Sequence, residues 1–183
     1  PAPHQCIAAW LGDEISNTCM EGFENFLINS APKVKAEDIL QIRKEGKYTM
    51  ILVTGGLGFI GSHIALSLLA RGQEIVIVDN LANSTLQTLE RLEYISGMYI
   101  PFVKVDVRNT PALNKVFEQY SIETVIHTAS FKSLEESVLK PLEYYNDNVS
   151  SIMSLLRAMQ RMGVREFINV SSLAVYGQSD PEL

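Results

Sequence analysis

The stretch TGGLGFIGSH at residues 54–63 decides the fold of this chain. Its three regularly spaced glycines, Gly55, Gly58 and Gly61, form the pattern G-x-x-G-x-x-G. An apolar run typical of a buried strand, Met50–Val53, precedes the stretch, and a helical pattern begins inside it. A glycine-rich turn between a strand and a helix is typical of the first unit of a doubly wound α/β sheet.

Each glycine has its own expected role. Gly55 permits a tight turn at the end of the strand, and Gly61 lets the helix pack closely on the sheet. Gly58 has no Cβ, so a pyrophosphate can approach the backbone there. A helix that starts near Phe59 directs its N–H groups and the positive end of its dipole towards the phosphates. The turn therefore predicts a dinucleotide site.

Strand and helix patterns alternate along the rest of the chain. Strands are predicted at Met50–Val53, Glu74–Val78, Ile100–Val105, Thr124–His127 and Phe167–Val170. Helices are predicted at Ile60–Ala70, Thr85–Tyr94, Pro111–Tyr120 and Pro141–Met162. Since the strands are almost continuously apolar, we expect a Rossmann-type α/β fold. Its parallel sheet has about five strands in the order 3-2-1-4-5.

The end of the second predicted strand identifies the dinucleotide. Asp79 stands there, close to the expected spacing of about 20 residues after the glycine turn. A carboxylate at this position accepts hydrogen bonds from the adenosine ribose hydroxyls and repels the 2′-phosphate of NADP. No arginine occurs in the next ten residues to reverse that preference. We expect NAD as the cofactor; the alternative is a glycine turn with an incidental aspartate.

A second carboxylate, Asp106, follows the third predicted strand. It can accept a hydrogen bond from the adenine amino group while Val107 packs on the adenine ring. The alternative is that Asp106 caps the N-terminus of the helix that contains Pro111.

Four motifs together narrow the class of protein. They are TGGLGFIGSH at 54–63, DNLANS at 79–84, ESVLKPLEYYNDNV at 136–149 and SSLAVYG at 171–177. With these motifs the chain resembles the extended short-chain dehydrogenase/reductase family, and within it the UDP-glucose 4-epimerases. The glycine loop is shared across that superfamily, whereas DNLANS together with KPLEYY is much narrower. The resemblance covers residue 50 to about residue 179.

The resemblance implies a role for individual residues. Beyond the glycines, it implies cofactor contacts from Phe59, Ile60, Asp79, Asn80, Leu81, Asn83, Ser84, Asp106, Val107, Thr128, Ala129, Ser130, Lys132 and Asn148. Phe59 and Ile60 would lie under the pyrophosphate, residues 79–84 around the adenosine ribose, and residues 128–132 under the nicotinamide half. Ser172 is the catalytic residue that the resemblance supplies, as a hydrogen-bond partner of the sugar 4-oxygen. Thr128, Ser130 and Asp147 depart from the usual family residues, which affects the expected sugar more than the cofactor.

The family's general base is a tyrosine in the pattern Tyr-x-x-x-Lys. The chain has seven tyrosines, and lysine does not follow any of them at that spacing. We therefore expect the NAD-binding half of a nucleotide-sugar epimerase, truncated before that pair and before the substrate domain, and inactive by itself. A nucleotide-sugar dehydratase or reductase on the same scaffold and a non-catalytic NAD-binding module remain alternatives.

The remaining sequence features bound the function further. Residues 1–49 form a mostly helical extension of unknown role, with helices predicted at Asp13–Leu27 and Glu37–Ile42, and residues 50–183 form the NAD-binding domain. The net charge of −6 without a long basic run argues against nucleic acid, and no apolar stretch has bilayer length. Two cysteines without metal-ligand spacing predict no metal site and fit a reducing cytoplasm.

Partners follow from the resemblance as well. We expect the full-length parent to bind a UDP-sugar and to form a homodimer. His63 and His127 are predicted to be structural, and Tyr144 and Tyr145 to pack inside the long fourth helix.

Overall fold

A computed structural model describes residues 49–172 and residue 175. In that part of the chain, strands and helices alternate as predicted. The strands are β1 (Met50–Thr54), β2 (Ile75–Asp79), β3 (Phe102–Lys104), β4 (Ile122–His127) and β5 (Glu166–Asn169). The helices are α1 (Phe59–Leu69), α2 (Leu86–Ser96), α3 (Thr110–Gln119), α4 (Leu134–Leu139) and α5 (Pro141–Met162). The helices predicted at Asp13–Leu27 and Glu37–Ile42 lie outside the described residues.

All five strands pair in parallel, in the order β3-β2-β1-β4-β5, which confirms the predicted topology. Leu52 in the central strand lies opposite Val76 of β2 on one side and Val125 of β4 on the other. Because the strands are parallel, their carboxyl ends meet at one edge of the sheet. That edge is where an open α/β sheet normally binds its ligand.

Helices cover both faces of the sheet, so the central strands are buried on both sides. Successive side chains of β2 alternate between two cores. Ile75 and Ile77 pack with residues of α1 and α2, whereas Val76 and Val78 pack with residues of α3 and α5. Each fully buried aliphatic side chain contributes about 1.5–3 kcal/mol relative to exposure.

Some boundaries differ from the sequence prediction. The short helix α4 was not predicted, because six residues give too little periodicity to recognise; Ser133 caps it by accepting a hydrogen bond from the Glu136 N–H. The predicted third strand is longer than the three-residue β3, which pairs only with β2 at the edge of the sheet. The prediction that Tyr145 packs is wrong: its side chain is exposed, whereas Tyr144 is buried.

The described residues, 49–172 and 175, contain neither a helix fit to cross a membrane nor a metal cluster. No helix there is both long enough and apolar enough to cross a bilayer. In the same residues, no three or more His, Cys, Asp or Glu side chains come together as a metal site.

Candidate dinucleotide site

A cleft that is open to solvent lies at the carboxyl edge of the sheet. The loops after β1, β2, β3 and β4, together with α5, form its walls. Its lining residues are Gly55, Gly58, Asp79, Asn80, Ala82, Asn83, Ser84, Val105, Asp106, Val107, Arg108, Thr128, Ala129, Ser130, Phe131, Asp147 and Ser151.

The three glycines of the first loop differ in what surrounds them. Gly55 has φ +70°, and a Cβ on it would lie 2.7 Å from the backbone nitrogen of Ala129. A Cβ on Gly61 would overlap the carbonyl oxygen of Gly55. A Cβ on Gly58 would meet only that same oxygen, at 3.3 Å. The fold itself therefore requires glycine at 55 and 61, whereas Gly58 leaves space on the cleft side.

Helix α1 presents its N-terminus to the cleft beside Gly58. Gly58 is the N-cap residue and has no side chain with which to cap the first backbone N–H groups. The first turn of α1, residues 59–62, contains no acidic residue. Both features favour an anion, because the helix dipole and the first N–H groups attract negative charge. The loop therefore fits a pyrophosphate.

Asp79 is a buried carboxylate at the end of β2, held from two sides. Its Oδ2 accepts a hydrogen bond from the Leu57 N–H at 3.1 Å. Its Oδ1 accepts from the Leu81 N–H at 2.9 Å and from the Ser84 hydroxyl at 2.7 Å. Leu81 has φ +63°, a left-handed conformation that costs a non-glycine residue about 1–2 kcal/mol. The Asp79 carboxylate thus ties the glycine loop to the β2–α2 loop.

Asp106 forms a two-pronged ion pair with Arg108. The Nε and Nη2 of Arg108 donate to Oδ1 and Oδ2 of Asp106 at 2.9 and 2.7 Å. This guanidinium holds the pKa of the Asp106 carboxyl well below its usual range, so the group is charged. The alternative that Asp106 caps the next helix is wrong: Asn109 is the N-cap of α3 and accepts a hydrogen bond from Ala112 N–H.

The loop after β4 is fixed at both ends. The Thr128 hydroxyl donates to the carbonyl oxygens of Thr54 and Gly55, at 2.7 and 3.2 Å. The side-chain amide of Asn148, from α5, brackets Phe131: its Oδ1 accepts from the Phe131 N–H and its Nδ2 donates to the Phe131 carbonyl, both at 2.9 Å. Asn148 therefore positions this loop through the backbone.

His127 lies beneath the cleft, at the end of β4. Its Nδ1 shares a 2.7 Å hydrogen bond with the Thr54 hydroxyl, and its Nε2 lies 3.4 Å from the Ser151 hydroxyl. Burial lowers the pKa of His127 to about 4, so the ring is neutral at pH 7. The geometry agrees with the structural role predicted for it.

The structure brings most of the predicted cofactor residues together around the cleft. Those that line it are Gly55, Gly58, Asp79, Asn80, Asn83, Ser84, Asp106, Val107, Thr128, Ala129 and Ser130. Those that do not are Phe59, Ile60, Gly61, Leu81, Lys132 and Asn148. Phe59 and Ile60 are exposed at the start of α1, and Ser172 is exposed beyond β5.

Four lining residues lie outside every range that the sequence analysis assigned to the cofactor. They are Val105, Arg108, Asp147 and Ser151. Arg108 lies beyond the ten residues that follow Asp79 in sequence, and it reaches the cleft from the loop after β3. Asp147 is an acidic residue within the motif at 136–149, but its ion-pair partner, Arg108, lies far away in sequence.

Comparisons with known proteins agree with this geometry. A model of the NAD dependent epimerase/dehydratase family matches residues 51–182. The UDP-glucose 4-epimerase of Klebsiella pneumoniae is 46% identical over 127 residues, which cover 69% of this chain and 91% of that protein. The UDP-glucose 4-epimerase of Schizosaccharomyces pombe is also 46% identical over 127 residues, covering 69% of this chain and 36% of the relative.

A solved structure shows the same fold. The crystal structure of UDP-glucose 4-epimerase from Bifidobacterium longum in complex with NAD⁺ and UDP has a TM-score of 0.69 and 43% sequence identity; the match covers 70% of this chain and 38% of that one. The chain thus spans little more than a third of the length of the S. pombe and B. longum proteins. Since the family model matches well over half of its residues, this chain belongs to the NAD dependent epimerase/dehydratase family.

Proposed function

We propose that this chain is the NAD-binding half of a nucleotide-sugar epimerase of the UDP-glucose 4-epimerase type. One observation carries the proposal: a single cleft joins the glycine loop, the buried Asp79 carboxylate and the charged Asp106 carboxylate. These are the groups needed for a pyrophosphate, a ribose diol and an adenine amino group. Residues 50–183 form the NAD-binding domain in this proposal, which leaves the role of residues 1–49 open.

The chain's own residues would hold NAD along the cleft. The backbone at Gly58 and the N-terminus of α1 receive the pyrophosphate, since the space beside Gly58 is open. Asp79 accepts from the ribose hydroxyls, because its carboxylate is fixed by three protein donors and faces the cleft. The loop at 128–132 supports the nicotinamide half, because hydrogen bonds to β1 and α5 fix its position.

The reaction class follows from the relatives rather than from the cleft. Bound NAD would supply a hydride acceptor that can return the hydride to the same carbon. In this proposal Ser172, which is exposed after β5, hydrogen-bonds the sugar 4-oxygen. The 183-residue sequence has no Tyr-x-x-x-Lys to remove the proton from the 4-hydroxyl. General-base catalysis is worth about 10²–10⁴-fold, so we propose that these residues alone do not turn over substrate.

The proposed substrates are UDP-glucose and UDP-galactose. The relatives at 46% identity are named UDP-glucose 4-epimerases, and the B. longum structure contains UDP. These names favour an epimerase over a dehydratase or a reductase on the same scaffold. The parent protein's cytoplasmic location, its role in galactose metabolism and its homodimer belong to the same proposal.

A chimera tests the proposal directly. Residues 50–183 replace the matching segment of the B. longum UDP-glucose 4-epimerase, which supplies the remainder of that enzyme. We expect the purified chimera to contain NAD and to convert UDP-galactose to UDP-glucose in a coupled assay. The unfused 183-residue chain, assayed in parallel, should show no turnover.

Two results would contradict the proposal. One is a folded chimera that binds UDP but neither retains NAD nor turns over. The other is robust turnover by the 183-residue chain alone, free of contaminating host enzyme. A chimera that carries Gly58→Val serves as the negative control for cofactor loading.

A further inference from the structure

The Arg108 guanidinium lies between two carboxylates from different parts of the fold. Nε and Nη2 donate to Asp106 in the loop after β3, and Nη1 pairs with Oδ1 of Asp147 in α5. About a third of the Arg108 and Asp106 side chains is exposed (34% and 33%), against 18% for Asp147. All three residues line the cleft. We refer to Asp106, Arg108 and Asp147 as the Arg108 cluster.

The cluster carries one positive and two negative charges. A guanidinium paired with Asp106 alone would neutralise the charge of that carboxylate almost completely. Asp147 shares the guanidinium, so more negative potential remains at Asp106, the carboxylate beside Asn80. Because Arg108 is held from two directions, it also keeps the orientation of Asp106 fixed.

Asp106 has one donor that a ligand can replace. A carboxylate offers about four acceptor positions. Four donors fill them: the N–H, Nε and Nη2 of Arg108, and Nδ2 of Asn80. The Asn80 contact is the longest of the four, at 3.2 Å, and Asn80 is exposed. An incoming amino group can therefore take the place of the Asn80 amide while Arg108 stays bound.

We propose that Asp147 is a positioning residue for adenine recognition: by holding Nη1 of Arg108, it keeps Asp106 oriented and negative enough to select a 6-amino group. The inference rests on the proposed function, which places the adenine of NAD at Asp106. Asp147 itself touches no adenine atom in this account. It acts through Arg108, and this makes α5 part of the adenine site.

The test compares two ligands on the 183-residue chain. They are NAD and nicotinamide hypoxanthine dinucleotide, in which a 6-oxo group replaces the 6-amino group. Wild type should bind NAD more tightly, because the 6-oxo oxygen faces the Asp106 carboxylate. The affinity ratio is the affinity for NAD divided by the affinity for the hypoxanthine dinucleotide. Asp147→Asn keeps the side-chain shape and removes the charge, so it should lower this ratio about threefold to tenfold. Nη1 of Arg108 then becomes available to the 6-oxo oxygen.

Matched variants separate this role from general effects of charge or folding. Glu143→Gln removes the same charge one turn earlier in α5 and should leave the ratio unchanged, because both ligands carry the same phosphates. Asp147→Glu should restore most of the preference. Arg108→Lys keeps the positive charge but cannot hold both carboxylates as a fork does, so it should lower the ratio as well.

The outcomes are distinguishable. A wild-type ratio in folded Asp147→Asn overturns the inference and leaves the proposed function intact. If that variant does not fold, a wild-type ratio in Arg108→Lys overturns it instead. Failure of the wild-type chain to bind NAD at all overturns the proposed function, and the inference with it. A ratio unchanged in Asp106→Asn shows that adenine binds elsewhere, which also overturns the inference.

Discussion

The two ends of the cleft are built differently. At the end proposed for adenosine, the Asp79 and Asp106 carboxylates accept seven hydrogen bonds from protein donors, and these bonds connect the loops after β1, β2 and β3. At the end proposed for nicotinamide, the Thr128 hydroxyl joins the loop after β4 to the Thr54 carbonyl, and the Asn148 amide holds the backbone of Phe131 in the same loop. Beyond that loop, β5 and Ser172 are largely exposed.

The difference separates what this stretch of chain can do on its own from what needs more protein. The proposed adenosine end draws mainly on the loops after β1, β2 and β3, three strands that form one side of the sheet, and α5 adds only Asp147 through Arg108. Its two carboxylates are held by hydrogen bonds before any ligand arrives, so little ordering is needed for binding. We therefore expect adenosine recognition to be complete here, and sugar recognition to depend on residues outside this cleft.

The largest effect is expected from a substitution at Gly58, beside the proposed pyrophosphate position between the two ends of the cleft. Gly58→Val places a branched side chain in the open space beside the pyrophosphate position, so NAD affinity should fall by more than about a hundredfold. The fold should survive, because a Cβ there meets only the Gly55 oxygen, at 3.3 Å. Calorimetric titration with NAD and thermal melting measure the two effects separately.

A second glycine is the control. Gly97, the left-handed C-cap of α2, has nothing within 4 Å of an added Cβ. Gly97→Ala should lower the free energy of unfolding by about 1–2 kcal/mol and leave NAD affinity unchanged. Wild-type NAD affinity in Gly58→Val would show that the pyrophosphate does not bind at the glycine loop.

The next prediction concerns the pH dependence of stability through His127, which lies between the two ends of the cleft. His127 contacts Thr54 of β1 and lies near Ser151 of α5. Burial lowers the pKa of His127 from 6.5 to about 4. The unfolded chain therefore takes up a proton near pH 6.5, whereas the folded chain does so only near pH 4. The free energy of unfolding should be highest above pH 6.5 and fall by about 3 kcal/mol as the pH drops to 4.

Chemical denaturation at a series of pH values checks this dependence. His127→Gln, which does not titrate, should remove this part of the decline between pH 6.5 and pH 4. If wild type and variant show parallel pH profiles, His127 is not held neutral in the folded protein.

A smaller effect sharpens the contrast between the two ends. Asn148→Ala leaves the Phe131 N–H and carbonyl without their side-chain partners and should loosen only the loop after β4. NAD affinity should fall about threefold to tenfold, a loss typical of one or two hydrogen bonds. ADP-ribose, which lacks nicotinamide, should bind as it does to wild type. Equal losses for the two ligands would mean that the ends of the cleft are not independent.

Much of the fold could be predicted from sequence because its signals are local. The glycine spacing, the apolar strands and the helical periodicity each lie within a short window. The right-handed crossover rule then leaves few possible strand orders. The helix predicted at Pro141–Met162 matches α5 at both ends, because Pro141 starts it and Gly163 ends it in a left-handed conformation.

The rest could not be predicted because it depends on contacts between distant segments. Arg108 pairs with Asp147 only because α3 and α5 cover the same face of the sheet. Nothing local distinguishes Asp106 as an ion-pair partner from Asp106 as a helix cap. Asn148 was expected at the cofactor through the resemblance, whereas its amide is engaged with the Phe131 backbone.

Selectivity between NAD and NADP tests the central claim most directly. We expect calorimetric titration of the 183-residue chain to show NAD binding at least about tenfold tighter than NADP, because the fixed Asp79 carboxylate faces the 2′-position. Asp79→Asn should reduce the difference in affinity between NAD and NADP. Ser84→Ala removes one of three donors to Asp79 and should leave most of that difference. Equal or tighter binding of NADP by the wild-type chain would contradict the account.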